Sequence, residues 1–262
     1  MIGRVLAVAG SDSGGGAGIQ ADIKTVMALG GYAMTAVTAV TAQDTTGVHG
    51  VWPLPAEAVR RQMEVVLGDI GADAVKTGML GGAEVIGVVV EVLRGRGLPL
   101  VVDPVMVAKG GARLLDEGAL EAMLALMGLA TVVTPNIPEA EALLGRSISG
   151  HAEVVEAAGA LLSLVGNGAV LLKGGHGEGA VVRDVLATRE GFVVLEMPRI
   201  ETRHTHGTGC TLASAVAVGL AQGMGLEAAL RRGRDYVQAT ILGAPGLGAG
   251  HGPLGHGVAF GG

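Results

Sequence analysis

A phosphoryl group is among the few things that His204-Thr205-His206-Gly207-Thr208-Gly209-Cys210 is suited to hold. The stretch runs directly into the apolar segment from Thr211 to Leu220. A Gly-Thr-Gly turn opening a buried helix leaves backbone N–H groups unpaired beneath the positive end of the helix dipole, and both favour an anion. Cys210 is the only cysteine in the chain and stands at that helix start. It reads either as a small buried hydrophobe or as a reactive thiol whose pKa the helix end lowers.

Other residues with chemical potential lie at the ends of apolar runs. Gly10-Ser11-Asp12-Ser13-Gly14-Gly15-Gly16-Ala17-Gly18 follows the first run, and in an open α/β sheet that is the carboxyl edge where ligands bind. The loop is neither a Walker loop nor a dinucleotide fingerprint, so its glycines point to a close backbone approach or to a structural turn. Asp22, early in the next helix, suits a ligand hydrogen bond or plain dipole compensation. Gln43 offers a donor and an acceptor for an aminopyrimidine-like edge. Asp103 closes Leu100-Val101-Val102 before Pro104. Asn136 and Glu139, three apart, fit two readings equally, a hydrated Mg2+ near phosphates or a helix capping box. Lys173-Gly174-Gly175-His176 puts a cation at the same edge, for a phosphate or for solvent.

The elements that must position these residues follow from periodicity. Short Val/Leu/Ala runs at 5–9, 34–40, 73–76, 100–103, 131–134 and 169–173 alternate with helical patterns at 19–29, 56–67, 84–93, 117–127, 152–164 and 226–242. Such alternation marks βαβ units on a parallel sheet. Runs at 180–186 and 191–197, joined by 187–190, predict an antiparallel hairpin at the sheet's end. The glycine-rich tail from Gly243 onward predicts irregular surface structure.

Composition narrows the function further. With 262 residues and 16% charged residues the chain can bury a large core, and it reads as one domain over 1–262. A net charge of −6 and only five aromatic residues exclude the basic, stacking surfaces of nucleic-acid binders and leave no attraction to an anionic membrane. No apolar run is long enough to span a bilayer, and the first is too short for a signal-peptide core, so a soluble cytoplasmic protein is expected. No His-x-x-x-His pair and no second cysteine support a conventional transition-metal site.

Eight stretches together give the chain a recognisable relationship. They lie at 9–22, 41–45, 75–80, 102–109, 134–141, 173–176, 205–211 and 250–253. In order, they resemble the hydroxymethylpyrimidine/phosphomethylpyrimidine kinases of thiamin biosynthesis, a branch of the ribokinase-like superfamily. The resemblance implies a mostly parallel central sheet with helices on both faces and a small antiparallel hairpin. It also implies an ATP- and Mg2+-dependent homodimeric enzyme that phosphorylates 4-amino-5-hydroxymethyl-2-methylpyrimidine and then its monophosphate. By that resemblance Gly10, Asp22, Gln43, Met79 and Val105 hold the pyrimidine. Asp103 and Glu139 hold Mg2+, while Lys173, Asn136 and Thr205 face the nucleotide. Gly207, Thr208 and Gly209 form the anion hole, and Cys210 is the base or orients the acceptor. His204 departs from the family's expected asparagine, so its role stays open. The rival acceptor is pyridoxal. A thiol enzyme using Cys210 covalently and a silent vitamer-binding regulator are the readings from other classes.

Overall fold

The computed structural model describes residues 2–106, 118–175 and 179–259. Val107, Ala108, Lys109 and His176 of the motifs above, and the expected helix start at Glu117, lie outside the described residues. The eight strands of the central sheet run in the order β10-β9-β8-β7-β6-β5-β1-β2. These are β1 (Arg4–Ala9), β2 (Tyr32–Val37), β5 (Ala74–Thr77), β6 (Leu100–Val102), β7 (Val132–Val133), β8 (Ala169–Leu172), β9 (Val181–Thr188) and β10 (Gly191–Pro198). From β2 to β8 every pairing is parallel, while β9 and β10 join antiparallel at one edge. This is a ribokinase-like α/β architecture.

The central strands are buried on both faces, which explains their continuous apolar runs. Alternate side chains part into two layers. Leu6, Val8, Val75, Val102, Val133 and Leu172 enter one core, while Val5, Ala74, Val101, Val132 and Leu171 enter the other, as a period of two requires. The first core packs under α2 (Ala56–Asp69), α3 (Ala83–Leu93), α4 (Leu120–Met127), α5 (Ile137–Leu144) and α6 (Gly150–Leu162). The second lies beneath α1 (Gly18–Ala28), α7 (Thr208–Ala221) and α8 (Leu226–Leu242). Nearly every residue of α7 from Thr211 onward is buried. A helix apolar all round must be enclosed by its neighbours, and here α1, α8 and the sheet enclose it.

The expected strand at 34–40 is two strands. At Thr38 the chain leaves the main sheet, with its N–H donating to the Ala9 carbonyl at 3.1 Å and its hydroxyl to the Met79 carbonyl at 2.7 Å. Beyond it, β3 (Ala39–Gln43) pairs antiparallel with β4 (Val48–Pro53) as a separate ribbon. No glycine or proline marks the break; tertiary hydrogen bonds make it. The exposed β4 carries too little apolar alternation to announce itself as a strand. The hairpin turn is also tighter than expected, because β9 runs on to Thr188. The tail is irregular as expected, but it is not merely superficial: Leu254 and His256 are buried.

A buried ion pair ties the antiparallel edge to α8. Arg234 Nε donates to Asp184 Oδ2 at 2.7 Å and Nη2 to the Leu195 carbonyl at 2.8 Å, while Asp184 Oδ1 accepts from the Gly174 N–H at 2.8 Å. Both side chains are about 7% exposed or less. Removing one partner strands the other charge, so Arg234→Met is expected to cost about 3 to 5 kcal/mol in urea unfolding. A loss below about 1 kcal/mol would show that the pair is not structural.

Candidate active site

The site is built where α7 begins. Gly207 has φ +87° and no side-chain cap, and a Cβ there would collide with the Gly16 carbonyl oxygen. Only glycine lets the backbone seat that closely in a left-handed conformation. The first three N–H groups after it have no place in the helical ladder, which begins with Thr211 N–H donating to the Gly207 carbonyl. A Cβ on Gly209 would lie 3.3 Å from Lys173 Nζ and 3.4 Å from Asp103 Oδ2. The turn thus faces a lysine and an aspartate delivered by two strand ends.

Those two residues form a pair. Lys173 Nζ donates to Asp103 Oδ1 at 2.9 Å, and the Thr134 hydroxyl donates to the same oxygen at 3.1 Å. Burial would lower the Lys173 pKa, but Asp103 and Glu139 outweigh it and hold the ammonium above its ordinary value. Asn136 is bridged to Lys173 strand to strand. Of the two readings of Asn136 and Glu139, the capping box is present: Glu139 N–H donates to Asn136 Oδ1 at 2.9 Å and Asn136 N–H to Glu139 Oε2 at 2.8 Å. The box uses one carboxylate oxygen only. Burial pushes Glu139 up to about 7, with Lys173 opposing and Asp103 adding. A buried carboxylate whose ionisation a second one disfavours is what a hard cation relieves. Among the described residues no cluster of three or more His, Cys, Asp or Glu is placed for a metal. Two oxygen donors completed by phosphates and water suit Mg2+ rather than a closed protein cage.

Of the residues expected to hold the acceptor, Gln43 reaches the same turn. Gly10 N–H donates to the Met79 carbonyl at 3.1 Å, and a Cβ at Gly10 would strike the Met79 methyl. Val105 follows Asp103, its N–H donating to the Asp103 carbonyl at 2.8 Å. Gln43 Nε2 lies 3.3 Å from His206 Nε2. Thr205 is placed just before the turn, where its carbonyl accepts from the Thr208 hydroxyl at 3.3 Å. His204 packs over Gly252, with Nδ1 buried.

Asp22 is set deeper than the others. It is fully buried, and Lys76 Nζ donates to its two oxygens at 2.8 and 2.9 Å while the Ser214 hydroxyl donates at 2.7 Å. Lys76, also fully buried, belongs to the site's electrostatics although its sequence position drew no attention; a lysine inside the apolar strand Ala-Val-Lys-Thr was the available signal. Asp12 was missed as well. Its carboxylate accepts from the N–H groups of Gly14, Gly16 and Ala17 and lies 2.8 Å from His206 Nε2. Burial would raise its pKa, but His206 and the backbone donors hold it below the usual value. This clamp fixes the first glycine loop against the start of α7.

Cys210 requires a correction. The helix end was expected to lower its thiol pKa; instead burial pushes it up to about 11, only partly offset by Lys76, with Asp22 and Asp103 adding to the rise. Desolvation is the largest cause.

Ligand loops at the carboxyl ends of a ribokinase-like sheet, meeting at an anion-binding helix start, define a phosphotransferase. The comparisons with known proteins agree. A family profile described as phosphomethylpyrimidine kinase matches residues 12–255. The hydroxymethylpyrimidine/phosphomethylpyrimidine kinase of Streptomyces coelicolor is 51% identical over 258 residues, covering 98% of this chain and 95% of that protein. The thiamine biosynthesis bifunctional protein ThiED of Geobacter sulfurreducens is 50% identical over 256 residues, 97% of this chain and 52% of that protein. Among solved structures, the ADP complex of Bacillus subtilis pyridoxal kinase superposes with a TM-score of 0.91 at 36% identity, covering 98% of both chains. The chain belongs to the phosphomethylpyrimidine kinase family.

With one cysteine in the chain, iodoacetamide reports on Cys210 alone. At pH 8 its alkylation is expected to run about 100-fold slower than that of a free thiol, and to be still rising at pH 9.5. A plateau below pH 8 would show that the helix dipole prevails after all.

Proposed function

We propose that the chain is an ATP-dependent kinase that phosphorylates 4-amino-5-hydroxymethyl-2-methylpyrimidine and then its monophosphate, in thiamin biosynthesis. The observation that carries this reading is the placing of Lys173 and Asp103 against Gly209 at the uncapped start of α7. Family membership and the 51% identical relative support the pyrimidine as acceptor. The two cores share one sheet, which supports reading the chain as one kinase domain; a homodimer completes the reading on the resemblance alone.

In this mechanism the pyrimidine lies between Gly10, Met79, Gln43 and Val105, with its hydroxymethyl group toward α7. Asp22 acts on that pocket from behind, through Lys76. The N–H groups of Thr208, Gly209 and Cys210 and the Lys173 ammonium meet the charge of the transferring phosphoryl group, and such preorganised stabilisation is the main part of phosphoryl-transfer catalysis. Asn136 and Thr205 flank the nucleotide. Asp103 and Glu139 are suited to hold Mg2+, which when bound neutralises charge on the ATP phosphates. Cys210, protonated at neutral pH, orients the acceptor oxygen rather than taking its proton, which passes to solvent as the new O–P bond forms and the bond to ADP breaks. The same protonation argues against a covalent thiol enzyme, since thiolate is the nucleophile.

Incubation with ATP, Mg2+ and the aminopyrimidine is expected to give two successive phosphate additions by mass spectrometry. Phosphorylation of pyridoxal with none of the aminopyrimidine would overturn the substrate assignment. Cys210→Ala should retain most turnover in the first step; a loss of about 100-fold or more would restore the base role. Gly207→Ala, strained and pressed on the Gly16 carbonyl, is expected to lower kcat at least about 100-fold with helical content unchanged by circular dichroism. Turnover within threefold of wild type would remove the turn from the mechanism.

A further inference from the structure

The motif Gly250-His251-Gly252-Pro253 and the residues after it have no part in the chemistry described so far, yet they cross the outside of the site. Gly250 and His251 donate their N–H groups to Thr45, at 3.2 Å to its hydroxyl and 2.8 Å to its carbonyl. The Gly252 carbonyl accepts from the His206 N–H at 3.2 Å, and Pro253 bridges to His206 strand to strand. Leu254 is buried, and the Gly255 N–H donates to the Thr240 carbonyl at 2.9 Å. The strap ends on His256, 6% exposed, whose Nε2 lies 2.9 Å from the hydroxyl of Thr211 in the first turn of α7. Its backbone carbonyl accepts from the Tyr236 hydroxyl at 3.0 Å. The segment therefore binds the ribbon loop, the residue before the anion turn, the first turn of α7 and α8 in succession.

We propose that His256 is a positioning residue for phosphoryl transfer: through Thr211 it holds the first turn of α7, and with it the N–H groups of residues 208–210, in the orientation that meets the transferring phosphoryl group. Thr211 follows Cys210 directly, and its fully buried side chain ties the turn to a separate part of the chain by this hydrogen bond. Nothing on the α7 side supplies an N-terminal side-chain cap, so restraint of the turn comes from outside the helix. The His206 N–H to the Gly252 carbonyl restrains the residue before Gly207, and His256 restrains the residue after Cys210. The strap thus grips the catalytic turn at both ends. Burial, with the Lys24 ammonium adding, pushes His256 down to about 4. The ring is neutral, and its Nε2 faces the Thr211 hydroxyl.

This inference rests on the Gly207–Gly209 turn being the anion site, so its test has a readout independent of turnover. His256→Ala, His256→Gln, Thr211→Val and the Thr211→Val/His256→Ala double variant would be compared with wild type by amide hydrogen exchange over residues 204–211 and by steady-state kinetics with ATP and the aminopyrimidine. His256→Ala and Thr211→Val are each expected to speed exchange of the turn about 10-fold. Each should lower kcat about 10- to 100-fold with the acceptor KM within threefold. The double variant should be no worse than the poorer single, because both remove one interaction. His256→Gln, which keeps an acceptor, should recover most of kcat. Unchanged exchange in both single variants overturns the proposal, as does faster exchange with unchanged kcat or losses that multiply in the double variant. Wild-type enzyme inactive on the aminopyrimidine would instead sink the functional reading, and unchanged exchange in both single variants would still overturn this one.

Discussion

One constraint organises the molecule: α7 is apolar on every side, so it must lie wholly inside the protein. A buried helix satisfies its own backbone except at its ends. The start of α7, at the carboxyl edge of the sheet, is therefore a set of unpaired N–H groups with protein packed around it. The parallel strands feed their last residues toward the same place, and this is why Asp103, Lys173 and the first glycine loop converge there. Gly207, pressed on the Gly16 carbonyl, is the contact through which the helix and the loop share one geometry.

Enclosure of this kind brings charges out of water, and the chain handles them in pairs. Lys76 is matched by Asp22 and Lys173 by Asp103, each pair completed by a hydroxyl from Ser214 or Thr134. In a low-dielectric interior an unmatched member would be costly. The pairing keeps both ammonium groups charged and leaves the thiol of Cys210 as the neutral neighbour. The fixed charges around the turn are therefore those of two lysine–aspartate pairs, and the sulfur contributes shape.

Much of this was legible from residue order. Runs such as Leu100-Val101-Val102 announce strands buried on both faces, and the pattern at 226–242 returned α8 with the same limits. The acidic strand end at Asp103 and the lysine after β8 were readable because position in a parallel sheet carries chemical meaning. What escaped was decided by contacts distant in sequence. The break at Thr38 depends on Ala9 and Met79, the role of Asp12 on His206 some 194 residues away, and the burial of His256 on Thr211. Residue order left both readings of the Cys210 thiol open, because a helix start is visible in sequence and desolvation is not.

The ribbon of β3 and β4 is hydrogen-bonded as a sheet of its own. It carries Gln43, while Gly10, Met79, Asp103, Val105 and Lys173 follow strands of the main sheet. The ribbon and the main sheet are joined at Thr38 and along the first loop through Ser11, Ser13 and Thr41. Of the four residues proposed to line the acceptor pocket, only Gln43 belongs to the ribbon. The Bacillus subtilis pyridoxal kinase matches over 98% of this chain, so the likeness takes in the ribbon as well as the main sheet.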